Sequence, residues 1–255
     1  MIASAAPPTG YTRILVPRAD VVALASVADA VRQAVMRRSL YAYAASHPAR
    51  RALRGRGTAY AVPLPDDATR VVVRHSRHGG LFAPVTGDRF LPPTRAPHEL
   101  RTALQLADAG VATPEVIAYA TYPAGPLFRK SDVATREVVG GTDLGDLLAA
   151  PHERDELRAI LEATANLLRT LERAGAQHPD LNIANVLVVT EPDGSRHAAV
   201  LDVDRIEFGI PGDSAIGAAN LRRLVRSAHK QRGCGAITVT DADLDALAAA
   251  SGYSL

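Results

Sequence analysis

Cysteine occurs once in this chain and lysine only twice among 29 basic residues. The lone Cys234 excludes an internal disulfide and a thiolate metal cluster, and it is compatible with a reducing compartment. No apolar run approaches the roughly 18 residues needed to span a bilayer, and Met1 to Gly10 lacks the basic start and apolar core of a signal peptide. The expected location is therefore the cytoplasm. His98-Glu99 and His152-Glu153 each lack the second histidine of the His-Glu-x-x-His pattern, so a structural zinc is not expected. Net charge is only +2, and no nucleic-acid partner is expected.

What is present is a loop of specific spacing. His178-Pro-Asp-Leu-Asn-Ile-Ala-Asn185 precedes the apolar run Val186 to Val189, and a second apolar run ends at Leu201-Asp202. Phosphoryl transfer asks a protein mainly for positioning and charge neutralisation. An acidic group must take the acceptor hydroxyl's proton, an amide oxygen can bind Mg²⁺, and a carboxylate from a neighbouring strand can bridge the metal to the phosphates. Asp180, Asn185 and Asp202 fit these three jobs in order, with the asparagine five residues after the first aspartate as protein kinases have it. Val186-Leu-Val-Val189 and Ala198-Ala-Val-Leu201 read as buried strands joined by the turn residues Glu191-Pro-Asp-Gly194. Singly, each of these Asp and Asn residues is a common turn or cap type. Type, spacing and strand–turn–strand context together are what point to a kinase catalytic loop.

The other parts of such a site should lie upstream in a fixed order. Gly55 and Gly57, in Arg54-Gly-Arg-Gly-Thr58, are candidates for a turn covering the nucleotide's phosphates, although the same residues suit an ordinary basic loop and a third glycine is missing. The strand Arg70-Val-Val-Val-Arg74 offers Arg74 where a lysine is usual; neither Lys130 nor Lys230 is placed to serve. Arginine holds phosphate or carboxylate through a fork, lysine as a point charge, so the exchange is not neutral. Pro97 to Ala107 has apolar residues at 100, 103, 104 and 107, a helical spacing with Glu99 in its first turn. There Glu99 can pair with the strand's cation or complement the helix dipole. Thr135 to Gly141 reads as a hinge, where backbone groups from Glu137 to Val139 are expected to hydrogen-bond adenine.

Val73-Arg-His-Ser-Arg-His-Gly-Gly-Leu81, Gly87-Asp-Arg-Phe90 and His178-Pro-Asp-Leu-Asn182 resemble the lipopolysaccharide kinase family of Kdo and heptose kinases, closest to its 3-deoxy-D-manno-octulosonic acid (Kdo) kinase branch. The likeness runs from about Leu53 to about Lys230 and includes a basic helix over Asn220 to Lys230. It implies an ATP-dependent kinase that phosphorylates Kdo attached to lipid A, with the missing strand lysine a family trait. Carried over residue by residue, Asp180 is the catalytic base and Asn182 takes the place protein kinases give to a lysine. Asn185 and Asp202 hold Mg²⁺. Gly79 and Gly80 suit a turn beside the nucleotide or sugar. Asp202-Val-Asp204 stands where protein kinases have Asp-Phe-Gly, with Asp204 a supporting acid or a surface charge. Ser76 and Ala83 to Val85 depart from the aromatic and basic residues expected in this branch.

The expected fold is α+β, a bilobal protein-kinase-like fold with a β-rich N-lobe and a small, mainly helical C-lobe. Residues 1–52 read as an extension with a helix near Val21 to Leu40, 53–136 as the N-lobe, and 137–255 as hinge and C-lobe. Asp143 to Ala150 and His152 to Ala174 read as helices. So short a C-lobe favours a sugar or small acceptor over a peptide. Arg37, Arg38, Arg50, Arg51, Arg54 and Arg56 form either a solvated basic surface or a peripheral contact to anionic lipid at the inner membrane's cytoplasmic face. Two further readings stand beside this one: a kinase-like phosphotransferase for a soluble small molecule, and an inactive nucleotide-binding scaffold.

Overall fold

The computed structural model describes residues 6–53, 58–65, 69–76 and 88–254. The chain divides into two compact units, Met1–Arg101 with Glu115–Glu137, and Thr102–Pro114 with Val138–Leu255.

The first unit is built on an antiparallel sheet of strands β1 (Tyr11–Val16), β2 (Ala19–Leu24), β3 (Arg51–Leu53), β4 (Ala59–Pro63), β5 (Arg70–His75), β6 (Val116–Pro123) and β7 (Arg129–Arg136). Their order is β1-β2-β6-β7-β5-β4-β3. Helices α1 (Ala28–Val35) and α2 (Leu40–Ser46) pack on the sheet. Ile14, Val21, Val31, Leu40, Val62, Val71, Val73 and Ile117 form one buried cluster there. Each such side chain contributes about 1.5–3 kcal/mol by leaving water.

Residues 11–24, expected in a separate extension, are instead two strands of this sheet, joined to it through β2 and β6. The expected helix over 21–40 is correspondingly a strand, a short α1 and the start of α2. The physical reason is that Val21-Val-Ala-Leu24 is a continuous apolar run, equally suited to a buried strand, and sheet pairing decides between them.

Side chains alternate across a strand, and in β5 this separates neighbours. Val71 and Val73 are buried in the cluster beneath α1 and α2. His75 shares their face, its ring centroid 5.6 Å from that of Tyr41 on α2, whereas Arg74 lies on the opposite face. Helix α3 (Ala96–Asp108) buries Ala96, Glu99, Leu100, Thr102, Ala103 and Leu106. The buried stripe is thus rotated from the expected 100, 103, 104 and 107, because it takes in the Glu99 carboxylate.

In the second unit β8 (Gly141–Asp143) leads into α4 (Leu144–Ala149), and α5 (Arg154–Arg173) follows with Ile160, Leu161, Leu167, Leu168 and Leu171 buried along one stripe. After β9 (Ala176–Gln177) come the hairpin β10 (Val186–Thr190) and β11 (Arg196–Val200), then β12 (Glu207–Phe208), α6 (Ser214–Gly233) and α7 (Asp241–Ala250). The hairpin pairs with β8 in the order β11-β10-β8, and β12 pairs with β9. Gly175, at φ +66°, enters β9 so close to β12 that a Cβ would stand 2.6 Å from the Gly209 carbonyl oxygen.

Candidate active site

In the second unit, the loop between β9 and β10 is held by hydrogen bonds on every side. Its first residue, His178, is fully buried. The backbone N–H of His178 donates to Asn220 Oδ1 at 3.0 Å, while Asn220 Nδ2 donates to the Ala176 carbonyl at 2.9 Å. The imidazole spans two strands of chain: Nδ1 accepts from the Asp180 N–H at 3.2 Å and Nε2 donates to the Leu201 carbonyl at 3.1 Å. A neutral ring protonated on Nε2 satisfies both bonds. Burial lowers its pKa, against the opposing pull of the Leu201 carbonyl and of the Asp180, Asp202 and Asp204 charges.

The Asp180 carbonyl accepts from Asn182 Nδ2 and from Asn185 Nδ2, each at 3.0 Å. Asn182 Oδ1 in turn accepts from the Ala184 N–H at 3.0 Å, capping the 3₁₀ turn Ile183–Asn185. Both ends of the Asn182 amide are therefore committed within the loop. The side chain that takes the place of the protein-kinase lysine thus shapes the loop. This follows from the shortness of asparagine, which bonds nearby backbone where lysine would reach past it.

Asn185 is fixed by its NH₂ group, which leaves its amide oxygen as the atom presented for other work. The Asn185 carbonyl accepts from the Leu201 N–H at 2.9 Å. With the His178–Leu201 bond, this ties both backbone groups of Leu201 to the loop, so the following residue, Asp202, is located relative to Asn185 by two hydrogen bonds. Asp202 takes the left-handed conformation, φ 56° and ψ 49°. Non-glycine residues adopt it seldom, and they concentrate at functional sites.

No group of three or more His, Cys, Asp or Glu side chains able to hold a metal occurs among the described residues. The donor set present is an amide oxygen and a carboxylate. That suits Mg²⁺, which takes hard oxygen ligands, often one or two carboxylates with substrate phosphates and water completing its shell.

In the first unit, Arg74 Nη2 donates to Glu99 Oε1 in a close ion pair, with the Glu99 side chain only 4% exposed and that of Arg74 31% exposed. The structure thus brings β5 and the first turn of α3 together through the two residues singled out in sequence. Behind Arg74, a charged network was not foreseen: His75 Nδ1 lies 2.5 Å from Asp132 Oδ1, His75 Nε2 3.0 Å from Asp88 Oδ2, and Lys130 Nζ 2.7 Å from Asp88 Oδ2. Asp132 Oδ2 also accepts from the Tyr41 N–H at 2.9 Å. Its sequence signal was faint, because His75 and Asp132 are 57 residues apart and meet only through the β5–β7 register.

Glu137 departs from the adenine-binding expectation. Its N–H donates to the Arg70 carbonyl at 3.0 Å, continuing the pairing of β5 and β7, so this donor is spent in the sheet. Its carboxylate, 8% exposed, meets Arg51 at 2.6 Å and Arg70 at 2.5 Å. Burial alone would raise its pKa; the two arginines outweigh this and lower it. Val139 is 81% exposed. Gly55, Gly57, Gly79, Gly80 and Ala83 to Val85 lie outside the described residues.

A β-rich unit bearing an Arg–Glu pair with a buried carboxylate, and a mainly helical unit bearing an Asp…Asn…Asp loop and hairpin, define a protein-kinase-like phosphotransferase. A solved structure titled "WaaP in complex with acyl carrier protein" has this fold, with a TM-score of 0.55 and 20% identity over 87% of this chain and 86% of that one. The lipopolysaccharide kinase (Kdo/WaaP) family model matches residues 44–251, and the chain belongs to this family. It is similar to proteins named 3-deoxy-D-manno-octulosonic acid kinase: 30% identical to that of Vibrio parahaemolyticus over 69% of this chain and 71% of the relative. For Vibrio cholerae the figures are 33%, 69% and 72%, and for Stenotrophomonas maltophilia 33%, 70% and 69%. The chain is therefore a kinase, using ATP, of the class that phosphorylates lipopolysaccharide sugars.

Proposed function

We propose that this kinase transfers the γ-phosphate of ATP to a hydroxyl of Kdo linked to lipid A, in assembly of the lipopolysaccharide core. The observation that carries this reading is the loop from His178 to Asn185, where two asparagines pin the Asp180 backbone, in a chain whose relatives are named for that acceptor. Asp180 orients and deprotonates the sugar hydroxyl. Asn182 keeps the loop in shape as a positioning residue. Asn185 and Asp202 hold Mg²⁺, which when bound offsets phosphate charge. Arg74, oriented by Glu99, neutralises charge on the nucleotide. Backbone around Val139 meets adenine, with Glu137 anchoring the preceding strand through Arg51 and Arg70.

The acceptor is a lipid, so the enzyme works at the cytoplasmic face of the inner membrane as a peripheral protein. No helix among the described residues is long and apolar enough to cross a membrane. The arginines at 37, 38 and 50 supply the attraction to anionic headgroups, at about 1 kcal/mol for each basic group near the surface.

The test is phosphate transfer from labelled ATP with Mg²⁺ to a lipid A precursor carrying one Kdo, beside the same lipid without Kdo. Transfer confined to the Kdo-bearing lipid and lost in Asp180→Asn is expected. Equal transfer to both lipids would overturn the acceptor assignment.

A further inference from the structure

One basic side chain beside the catalytic loop has no part in the roles above. On α6, Asn220 Oδ1 accepts from the His178 N–H and Ser227 Oγ accepts from the Ile183 N–H, at 3.0 and 3.3 Å. These anchors are seven residues apart, about 10 Å along the axis. Helix and loop thus run side by side in the same direction, with the level of Asn220 at His178 and that of Ser227 at Ile183.

Arg223 follows Asn220 by three residues and precedes Ser227 by four, the spacings that place helical side chains in one row. Its place between the anchors puts it level with the middle of the loop, where Asp180 lies. Its Nη1 is buried and has no hydrogen-bond partner among the described residues, while the residue as a whole is partly exposed. An unsatisfied buried donor is costly, the more so when charged, and native proteins retain few of them without a use. Arg222, Arg226 and Lys230 are exposed on the same helix and reinforce its positive charge.

We infer that Arg223 recognises an anionic oxygen group of the acceptor, a carboxylate or a phosphate, and so presents the neighbouring hydroxyl to Asp180. A guanidinium fork matches either group through paired N–H bonds, and its flexible stem lets it turn toward the incoming group. The sugar acid in the relatives' name supplies such a carboxylate, and a phosphorylated lipid supplies the alternative. The inference rests on the kinase reading above and assigns that site a specificity residue.

The experiment compares wild type with Arg223→Gln on three acceptors: the Kdo-bearing lipid A precursor, the same lipid with its Kdo carboxyl methylated, and the same lipid stripped of its phosphates. Loss of one charge-assisted contact corresponds to roughly 10- to 100-fold. Arg223→Gln is expected to raise the acceptor KM by that factor and leave the ATP KM unchanged. Masking the recognised group should weaken wild type similarly and leave the variant indifferent. Indifference to methylation identifies the carboxylate, and indifference to phosphate removal identifies the phosphate.

A variant that discriminates among the acceptors as wild type does, or whose loss falls on ATP, overturns the inference. Arg223→Lys, which keeps the charge and loses the fork, should fall between the two and covers the case in which Arg223→Gln fails to fold. If wild type phosphorylates none of these lipids, the acceptor assignment fails separately. Arg223 is then judged by NMR titration with free 3-deoxy-D-manno-octulosonic acid and with inorganic phosphate. Weaker binding of either by Arg223→Gln supports the inference, and equal binding of both overturns it.

Discussion

His75 on β5 and Asp132 on β7 stand directly opposite each other in the sheet, with Nδ1 and Oδ1 2.5 Å apart and Asp132 fully buried. Asp88 takes the other ring nitrogen, so the imidazole bridges two carboxylates. A proton on each nitrogen makes both contacts donor-to-acceptor bonds. The Asp132 hydrogen bond is the largest cause of a raised His75 pKa, opposed by burial and aided by Asp88.

A group whose pKa is raised on folding gives stability that is full below its unfolded pKa and is lost as pH rises through the folded one. For His75 the loss therefore begins near the ordinary histidine value, about 6.5, and runs to higher pH. Urea midpoints measured from pH 5 to 9 should show this decline in wild type and not in His75→Gln. Equal slopes for the two proteins would exclude His75 as the source.

His178 carries the opposite sign. Burial lowers its pKa, so the neutral ring's contribution is present above the unfolded value and is lost as pH falls through the folded one. NMR titration of the ring should find it taking up its proton at lower pH than an exposed histidine does. His178→Asn should lose the Leu201 tie and lower kcat more than it alters the ATP KM.

Asp180→Asn should lower kcat by about 10²–10⁴-fold, the range for a general base, while the fold, followed by circular dichroism, is unchanged. Asp202→Asn should lower kcat and shift the Mg²⁺ concentration for half-maximal rate upward. Turnover unaltered in either purified variant would remove that residue from the reaction.

Breaking the Arg74–Glu99 pair from the arginine side takes an opposite charge away from a carboxylate that is only 4% exposed. Arg74→Met should cost about 1–3 kcal/mol, the range for a buried charged group that loses one hydrogen-bond partner. Glu99→Gln keeps a hydrogen bond and should cost less, while still raising the ATP KM. Arg74→Lys should recover charge and not fork geometry. Chemical denaturation and steady-state kinetics on the three variants separate these effects.

Gly175→Ala places a methyl 2.6 Å from the Gly209 carbonyl at φ +66°. The backbone strain alone is of order 1–3 kcal/mol, and separation of β9 from β12 disturbs the approach to the catalytic loop. A lower melting temperature with reduced kcat is expected; an unchanged melting temperature would show that the two strands can move apart freely.

The loop from His178 to Asn185 and the hairpin after it were legible in the sequence because their pattern is local: Asp180 and Asn185 lie within one short segment, and Asp202 follows across a single hairpin. The same holds for helices such as α5, whose apolar spacing identifies its buried face without reference to a partner. Only the tertiary structure decided that residues 11–24 are strands of the first unit's sheet, that the Glu137 N–H is spent on Arg70, and that both ends of the Asn182 amide are used inside the loop. It alone joined His75 to Asp132 and set Arg223 between the two anchors of α6. The physical reason is that an apolar run states how much surface must be buried and not against what, and a polar side chain's role depends on which partner takes its hydrogen bonds. Those partners come from strand register and helix packing over long sequence separations.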